Sequence, residues 1–174
     1  MERTVKPTNF DSARIEDLAL LLGEAYYIYN QAGRADVARL ITEMGGETRV
    51  DNFWAARQPL IVDGENSFVI SVESAQSVNH DRFYSARLLG HLSLHMDSID
   101  GFRPTVFPPT LGKKAGRAGI EATVFAHGLV MPKQRFETAY FKHEADVDDL
   151  VHVFDIGSTI VKQRCQMLKL APAT

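Results

Sequence analysis

The fold is best predicted from one segment, which runs RFYSARLLGHLSLH from Arg82 to His95. It falls in a helix that is predicted from about residue 81 to residue 96. His91 and His95 lie four residues apart, and side chains at positions i and i+4 share one face of a helix. The segment therefore brings two imidazoles together on one surface.

A second segment lies downstream and runs EATVFAHGLVMP from Glu121 to Pro132. A helix is predicted from about Ala118 to Val130, and the proline ends it. Between the two helices, residues 97–116 contain three prolines and several glycines, so they are predicted to form a loop. A loop of roughly 20 residues is long for a compact domain, and such loops are often functional.

Together the two segments resemble the zinc-binding helices of the ImmA/IrrE family of metallopeptidases. The first helix of that family has the pattern Arg-Phe-x-x-Ala-His-Glu-Leu-Gly-His-x-x-x-His, and the second has Glu-Ala-x-x-Phe-Ala-x-x-Leu-Leu-Met-Pro. The matching residues of the first segment are Arg82, Phe83, Ala86, Leu89, Gly90, His91 and His95. The resemblance covers about residues 11–140. It implies a zincin-like α+β fold, mostly helical, with a small antiparallel sheet.

The family's catalytic pattern is broken at two adjacent positions. The first metal-binding His of the family falls on Arg87 and the general-base Glu on Leu88, while the second His is kept as His91 and the third ligand as Glu121. Arginine has no lone pair with which to bind zinc, and leucine cannot transfer a proton. The resemblance therefore implies an inactive pseudopeptidase, with no catalytic residues and no metal cofactor.

A hypothesis follows for the two charged residues of this degenerate site. Without zinc, Glu121 would be a partly buried carboxylate that lacks a partner, which is costly. The guanidinium of Arg87 is a candidate replacement cation. We therefore expect an ion pair between Arg87 and Glu121.

A shifted metal site is the alternative interpretation. His91 and His95 could bind zinc with Glu121, helped by His80 or His127. A residual metal-dependent peptidase would then remain as a function. We favour the simpler interpretation, in which His91 is a core residue and His95 packs or caps.

The flanking sequence predicts further elements in an α+β arrangement. The predicted helices are 11–30, 36–44 and 134–141, and the predicted strands are 48–50, 59–62 and 67–72. We place a degenerate metallopeptidase-like domain at residues 1–141 and a C-terminal helical pair at residues 142–174.

The C-terminal pair could be a helix-turn-helix that touches DNA or a partner. The residues that its second helix would present are Thr159, Lys162, Gln163 and Lys169. Four aspartates crowd the first helix of the pair and would repel phosphate: Asp146, Asp148, Asp149 and Asp155. We therefore favour two amphipathic helices that close the domain, and keep DNA binding as an alternative.

Composition narrows the class of protein. The chain has 174 residues, 19 Lys and Arg against 22 Asp and Glu, and a net charge of −3, which weakens a role as a general nucleic-acid binder. Cys165 is the single cysteine, so neither an internal disulfide nor a cysteine-based zinc cluster can form. No signal-peptide core and no membrane-spanning apolar run is present, which predicts a cytoplasmic protein.

These inferences combine into one expected function. Working ImmA/IrrE peptidases cut helix-turn-helix repressors, often those of phages or mobile elements. By analogy, this chain is expected to bind such a transcriptional regulator through protein–protein contacts and to leave it uncut.

Overall fold

The computed structural model describes residues 5–52, 59–64, 66–73, 78–96, 105–107 and 116–171. Within these ranges the chain is α+β and mostly helical, with one mixed β-sheet. None of the described helices combines the length and the hydrophobicity needed to cross a bilayer. The elements are α1 (Ser12–Ala25), α2 (Val37–Glu43), β1 (Gly46–Val50), β2 (Leu60–Gly64), β3 (Ser67–Val72), α3 (Val78–His95), β4 (Thr105–Phe107), α4 (Gly116–Val130), α5 (Lys133–Lys142), α6 (Val147–Phe154) and α7 (Ser158–Met167).

The predicted helices are present, and aspartates begin three of them. The carboxylate of Asp11 accepts the backbone N–H of Arg14 at 2.8 Å at the start of α1, and Asp36 and Asp146 cap α2 and α6 in the same way. The first helix ends at Ala25, so its predicted extension to residue 30 is wrong. The reason is a left-handed residue, Tyr27 with φ 52°, which turns the chain out of the helix.

The sheet corrects the predicted antiparallel arrangement. The strand order is β1-β3-β2-β4, and β1 pairs in parallel with β3, while the other neighbours are antiparallel. β3 takes the inner position because Phe68, Ile70 and Val72 alternate along it and are all buried. The expectation that residues 97–116 form only a loop is also wrong, since β4 lies within it; residues 97–104 and 108–115 lie outside the described part.

Helices α3 and α4 form the frame that positions the site. They pack tightly at Gly90, where a Cβ atom would lie 3.0 Å from the carbonyl oxygen of Ala122 and 3.1 Å from the Cβ of Phe125. Leu150 and Val161 from the C-terminal helices belong to the same buried cluster as the α3 and α4 side chains. The described helices and sheet therefore pack around one core.

We expect Gly90→Ala to destabilise the protein by about 1–2 kcal/mol, because overpacking against a backbone outweighs the better helix propensity of alanine. Urea unfolding checks this. Gly157→Ser is the matched control, since a Cβ at Gly157 meets no atom within 4 Å. Equal stability of Gly90→Ala and wild type would show that the two helices can move apart without cost.

Candidate functional site

Glu121 is the centre of the site, and its carboxylate is 3% exposed. Its Oε2 accepts hydrogen bonds from the backbone N–H of Thr8 at 2.8 Å, from the Thr8 hydroxyl at 3.0 Å and from Nε2 of His95 at 3.0 Å. Its Oε1 accepts from the backbone N–H of Asn9 at 3.0 Å and from Nε of Arg117 at 3.2 Å. Both oxygens are thus occupied by donors from the N-terminal segment, α3 and α4.

These donors decide the ionisation state of Glu121. Burial raises the pKa of the carboxyl group, but the hydrogen bonds from His95, Thr8 and Arg117 outweigh it and lower the pKa to about 2. Arg117 lies one helical turn before Glu121 and contributes an exposed positive charge. The site therefore holds an ionised, buried carboxylate at neutral pH.

The two histidines extend the hydrogen bonding from Glu121 along α3. Nδ1 of His91 lies 3.1 Å from Nδ1 of His95. Burial, and then the charges of His95 and Arg87, lower the pKa of His91 to about 3, and burial also lowers the pKa of His95 against the opposing effect of Glu121. The lowered pKa values favour the neutral form of both imidazoles at pH 7.

With both imidazoles neutral, only one arrangement of protons satisfies the hydrogen-bonded chain Glu121–His95–His91. A carboxylate only accepts, so His95 donates from Nε2 and carries a lone pair on Nδ1. His91 must then donate from its own Nδ1. His91 is therefore the Nδ1–H tautomer, and His95 is the Nε2–H tautomer.

Long-range ¹H–¹⁵N correlation spectra at pH 7 test these tautomers. The unprotonated nitrogen is expected to be Nδ1 in His95 and Nε2 in His91. The exposed His152 serves as the control and is expected to show averaged tautomers. Protons on both nitrogens of His95 would contradict the arrangement.

The alternative metal site brings together the right residues in the wrong geometry. His91 and Glu121 meet opposite edges of the His95 ring, so the three groups form a line and do not converge on one ion. In the described part of the chain, no three His, Cys, Asp or Glu side chains are arranged to hold a metal. Of the two histidines that could help this site, His80 faces Asp81, and His127 is buried edge-on against Phe83.

Arg87 and Leu88, the two positions that depart from the family pattern, lie beside the Glu121–His95–His91 chain. Leu88 is 1% exposed and belongs to the core. The side chain of Arg87 lies close enough to Tyr84 and His91 to affect both of their pKa values. Arg87 is not among the partners of Glu121, so the hypothesised ion pair is wrong. The physical reason is that Thr8, Asn9, His95 and Arg117 already fill both carboxylate oxygens.

The N-terminal segment before α1 covers Glu121. Thr8 also accepts the N–H of Phe10 at 3.2 Å through its hydroxyl, and Asn9 has φ 59°, so the segment turns tightly over the carboxylate. Arg117 reaches the carbonyl oxygen of Phe10 at 3.4 Å. No local sequence pattern predicts the contact between Thr8 and Glu121, because the two residues are 113 positions apart.

The predicted contact residues of the C-terminal pair are exposed: Thr159, Lys162, Gln163 and Lys169. The turn that orients them is held from α3, because Arg82 donates to the carbonyl oxygen of Asp155 at 2.6 Å. Asp155 itself has φ 55° and ends α6. Arg82, the first residue of the segment from Arg82 to His95, thus positions the C-terminal helices.

A buried ion pair that sequence analysis missed anchors the same helices. Arg164 is 0% exposed and binds Glu16 through two hydrogen bonds of 2.9 and 2.7 Å. Its Nε also donates to the carbonyl oxygen of Met131 at 3.0 Å. The sequence signal that could have predicted this ion pair is the position of Arg164 on the inner face of an amphipathic helix.

The chain matches no protein-family model and no curated protein.

Proposed function

We propose that this chain is a catalytically inactive relative of the ImmA/IrrE metallopeptidases that acts as a regulatory protein-binding module. The observation that carries the proposal is the state of Glu121, whose two oxygens accept hydrogen bonds from Thr8, Asn9, His95 and Arg117. In a peptidase of this type the equivalent carboxylate would face a metal ion. Here it faces hydrogen-bond donors.

The zinc ion that the resemblance implies does not fit this donor set. Backbone N–H groups, a hydroxyl and a guanidinium direct protons at Glu121, where a cation would need lone pairs. His95 adds a further N–H on the same oxygen as Thr8. Binding of zinc to Glu121 would require these contacts to break, including those that hold the N-terminal segment.

In the described part of the site, no carboxylate stands at the position that the resemblance assigns to the general base. Leu88 stands where the resemblance would place a glutamate, and its side chain packs in the core. A pKa of about 3 makes the imidazole of His91 a weak proton acceptor at pH 7. These features support a structural role for the Glu121–His95–His91 chain.

The partner follows from the resemblance alone. A relative that keeps the recognition surface and loses hydrolysis would sequester its former substrate, so the proposed partner is a helix-turn-helix regulator of a phage or mobile element. The proposed setting is the cytoplasm, where such regulators act.

Affinity capture from the native host tests this proposal. The chain, carrying a tag without histidines, is used as bait, and an unrelated acidic protein of similar size is the control bait. We expect a helix-turn-helix regulator to be enriched at full length. Enrichment of regulator fragments with new termini would overturn the assignment as inactive, and the absence of any such regulator would overturn the partner.

DNA binding by the C-terminal helices is the second candidate, favoured by the exposure of Thr159, Lys162, Gln163 and Lys169. The exposed carboxylates of Asp148 and Asp149 at the start of α6 oppose it. A gel shift that weakens steeply with salt and is lost in Lys162→Glu would support this candidate.

A further inference from the structure

Strand β1 is an edge strand with an exposed surface. In the described sheet its neighbour is β3 on one side, and the order β1-β3-β2-β4 places no described strand on the other. Its side chains from Glu47 to Val50 are all exposed, and Val50 is 63% exposed. An edge of this kind is a template for pairing with another strand.

The direction of the backbone groups along β1 shows what this edge offers. Asp51 donates its N–H to the carbonyl oxygen of Val72 on the β3 side at 2.9 Å. Because backbone groups alternate in direction along a strand, Glu47 and Arg49 also face β3, and Gly46, Thr48 and Val50 face outward. The edge therefore presents the N–H and C=O groups of three residues to an incoming strand.

The side chains of β1 are complementary to those of a second β1. In an antiparallel pair centred on Thr48, Glu47 of each copy lies opposite Arg49 of the other. Moving the centre to Glu47 or Arg49 would place like charges opposite each other, which is unfavourable. The ion pairs between described residues include neither Glu47 nor Arg49, so this match is not used within the described part of the chain.

We propose that two copies of this chain associate through their β1 strands, paired antiparallel about a two-fold axis at Thr48. The outward groups then form about six hydrogen bonds between the copies, two for each facing pair of residues. Glu47 and Arg49 fall at the intervening positions, where opposite side chains approach most closely. The sheets of the two copies join into one continuous sheet. This inference is independent of the function proposed for the Glu121 site.

The interface is small, since each copy contributes five residues. A standard stable interface buries about 800 Å² on each partner, so the association is expected to be weak and visible at high protein concentration. Glu47 and Arg49 can instead act as charges that protect an edge strand from pairing. That role predicts a monomer at all concentrations.

Charge reversal distinguishes the two roles. Sedimentation velocity is measured for the full chain from about 5 to about 500 μM, a range suited to weak association. Each of Glu47→Arg and Arg49→Glu places two like-charged pairs across the interface, and each is expected to lower the association constant about tenfold. A one-to-one mixture of the two variants restores opposite charges at every pair, and it is expected to regain the wild-type association constant.

Two further variants complete the test. Thr48→Pro removes an outward N–H, is tolerated on an edge strand and is expected to abolish dimerisation. Lys133→Glu changes an exposed charge on α5 and is expected to leave dimerisation unchanged. Circular dichroism confirms that each variant is folded. A wild-type chain that stays monomeric at about 500 μM overturns the proposal. A dimer that persists in both single charge-reversal variants also overturns it. So does a one-to-one mixture of these variants that fails to regain the association constant.

Discussion

Replacing Arg164 by methionine will lower the free energy of unfolding by about 3–5 kcal/mol, because it leaves the Glu16 carboxylate without its buried partner. The guanidinium is 0% exposed and makes three hydrogen bonds, to both oxygens of Glu16 and to the carbonyl of Met131. It joins α7 to α1 and to the end of α4. Urea unfolding followed by circular dichroism measures the loss.

Two further variants separate the charge effect from the loss of packing. Arg164→Met combined with Glu16→Leu removes both charges, so it is expected to be more stable than Arg164→Met alone. Arg39→Met removes an exposed arginine from the surface pair with Glu43, and it is expected to cost less than about 1 kcal/mol. A loss for Arg164→Met no larger than that for Arg39→Met would show that the buried pair is energetically unimportant.

Replacing Glu121 by glutamine will destabilise the protein by about 3 kcal/mol at pH 7, because hydrogen bonds to a buried charge are stronger than those to a neutral amide. One of the two carboxylate oxygens becomes an NH₂ group, which faces donors. The backbone N–H groups of Thr8 and Asn9 donate to different oxygens, so one of them loses its acceptor, and the N-terminal segment is also expected to exchange its amide protons faster. Urea unfolding and hydrogen exchange measure the two effects.

The dependence of this loss of stability on pH identifies the ionised carboxylate of Glu121 as its cause. The pKa of Glu121 is about 2 in the folded chain, below its ordinary value of 4.5. A lowered pKa contributes stability that is present above about pH 5 and is lost as the pH falls toward 2. The difference between wild type and Glu121→Gln should shrink over that range. Glu43→Gln, at an exposed surface pair, is the control, and a difference that does not change with pH would contradict the account.

The sequence predicted the elements well where hydrophobic periodicity is strong. The three strands from residue 46 to residue 72 and the paired C-terminal helices were predicted close to their observed bounds. The parallel pairing of β1 with β3 was not, because periodicity identifies the buried face of a strand and does not identify its neighbour. The end of α1 was missed because a left-handed tyrosine carries no helix-stop signal in sequence.

Some residues of the site were predicted from the sequence, but the hydrogen bonds that join them were not. His91 and His95 meet as their spacing suggested, and Glu121 joins them as the family resemblance implied. The partners of Glu121 could not be inferred, because Thr8 and Asn9 reach it only after α1 has packed on α4. Arg117 could have been predicted, since it lies one helical turn before Glu121 and carries the opposite charge.

Native mass spectrometry of the purified chain with a helix-turn-helix regulator from the same host, in the presence of zinc, tests whether the chain binds the regulator without cutting it. It reports the complex and the covalent integrity of the regulator in one spectrum. The account predicts a stoichiometric complex in which the regulator keeps its full mass. A regulator cut into fragments, or the absence of any complex with the regulators of that host, would contradict it.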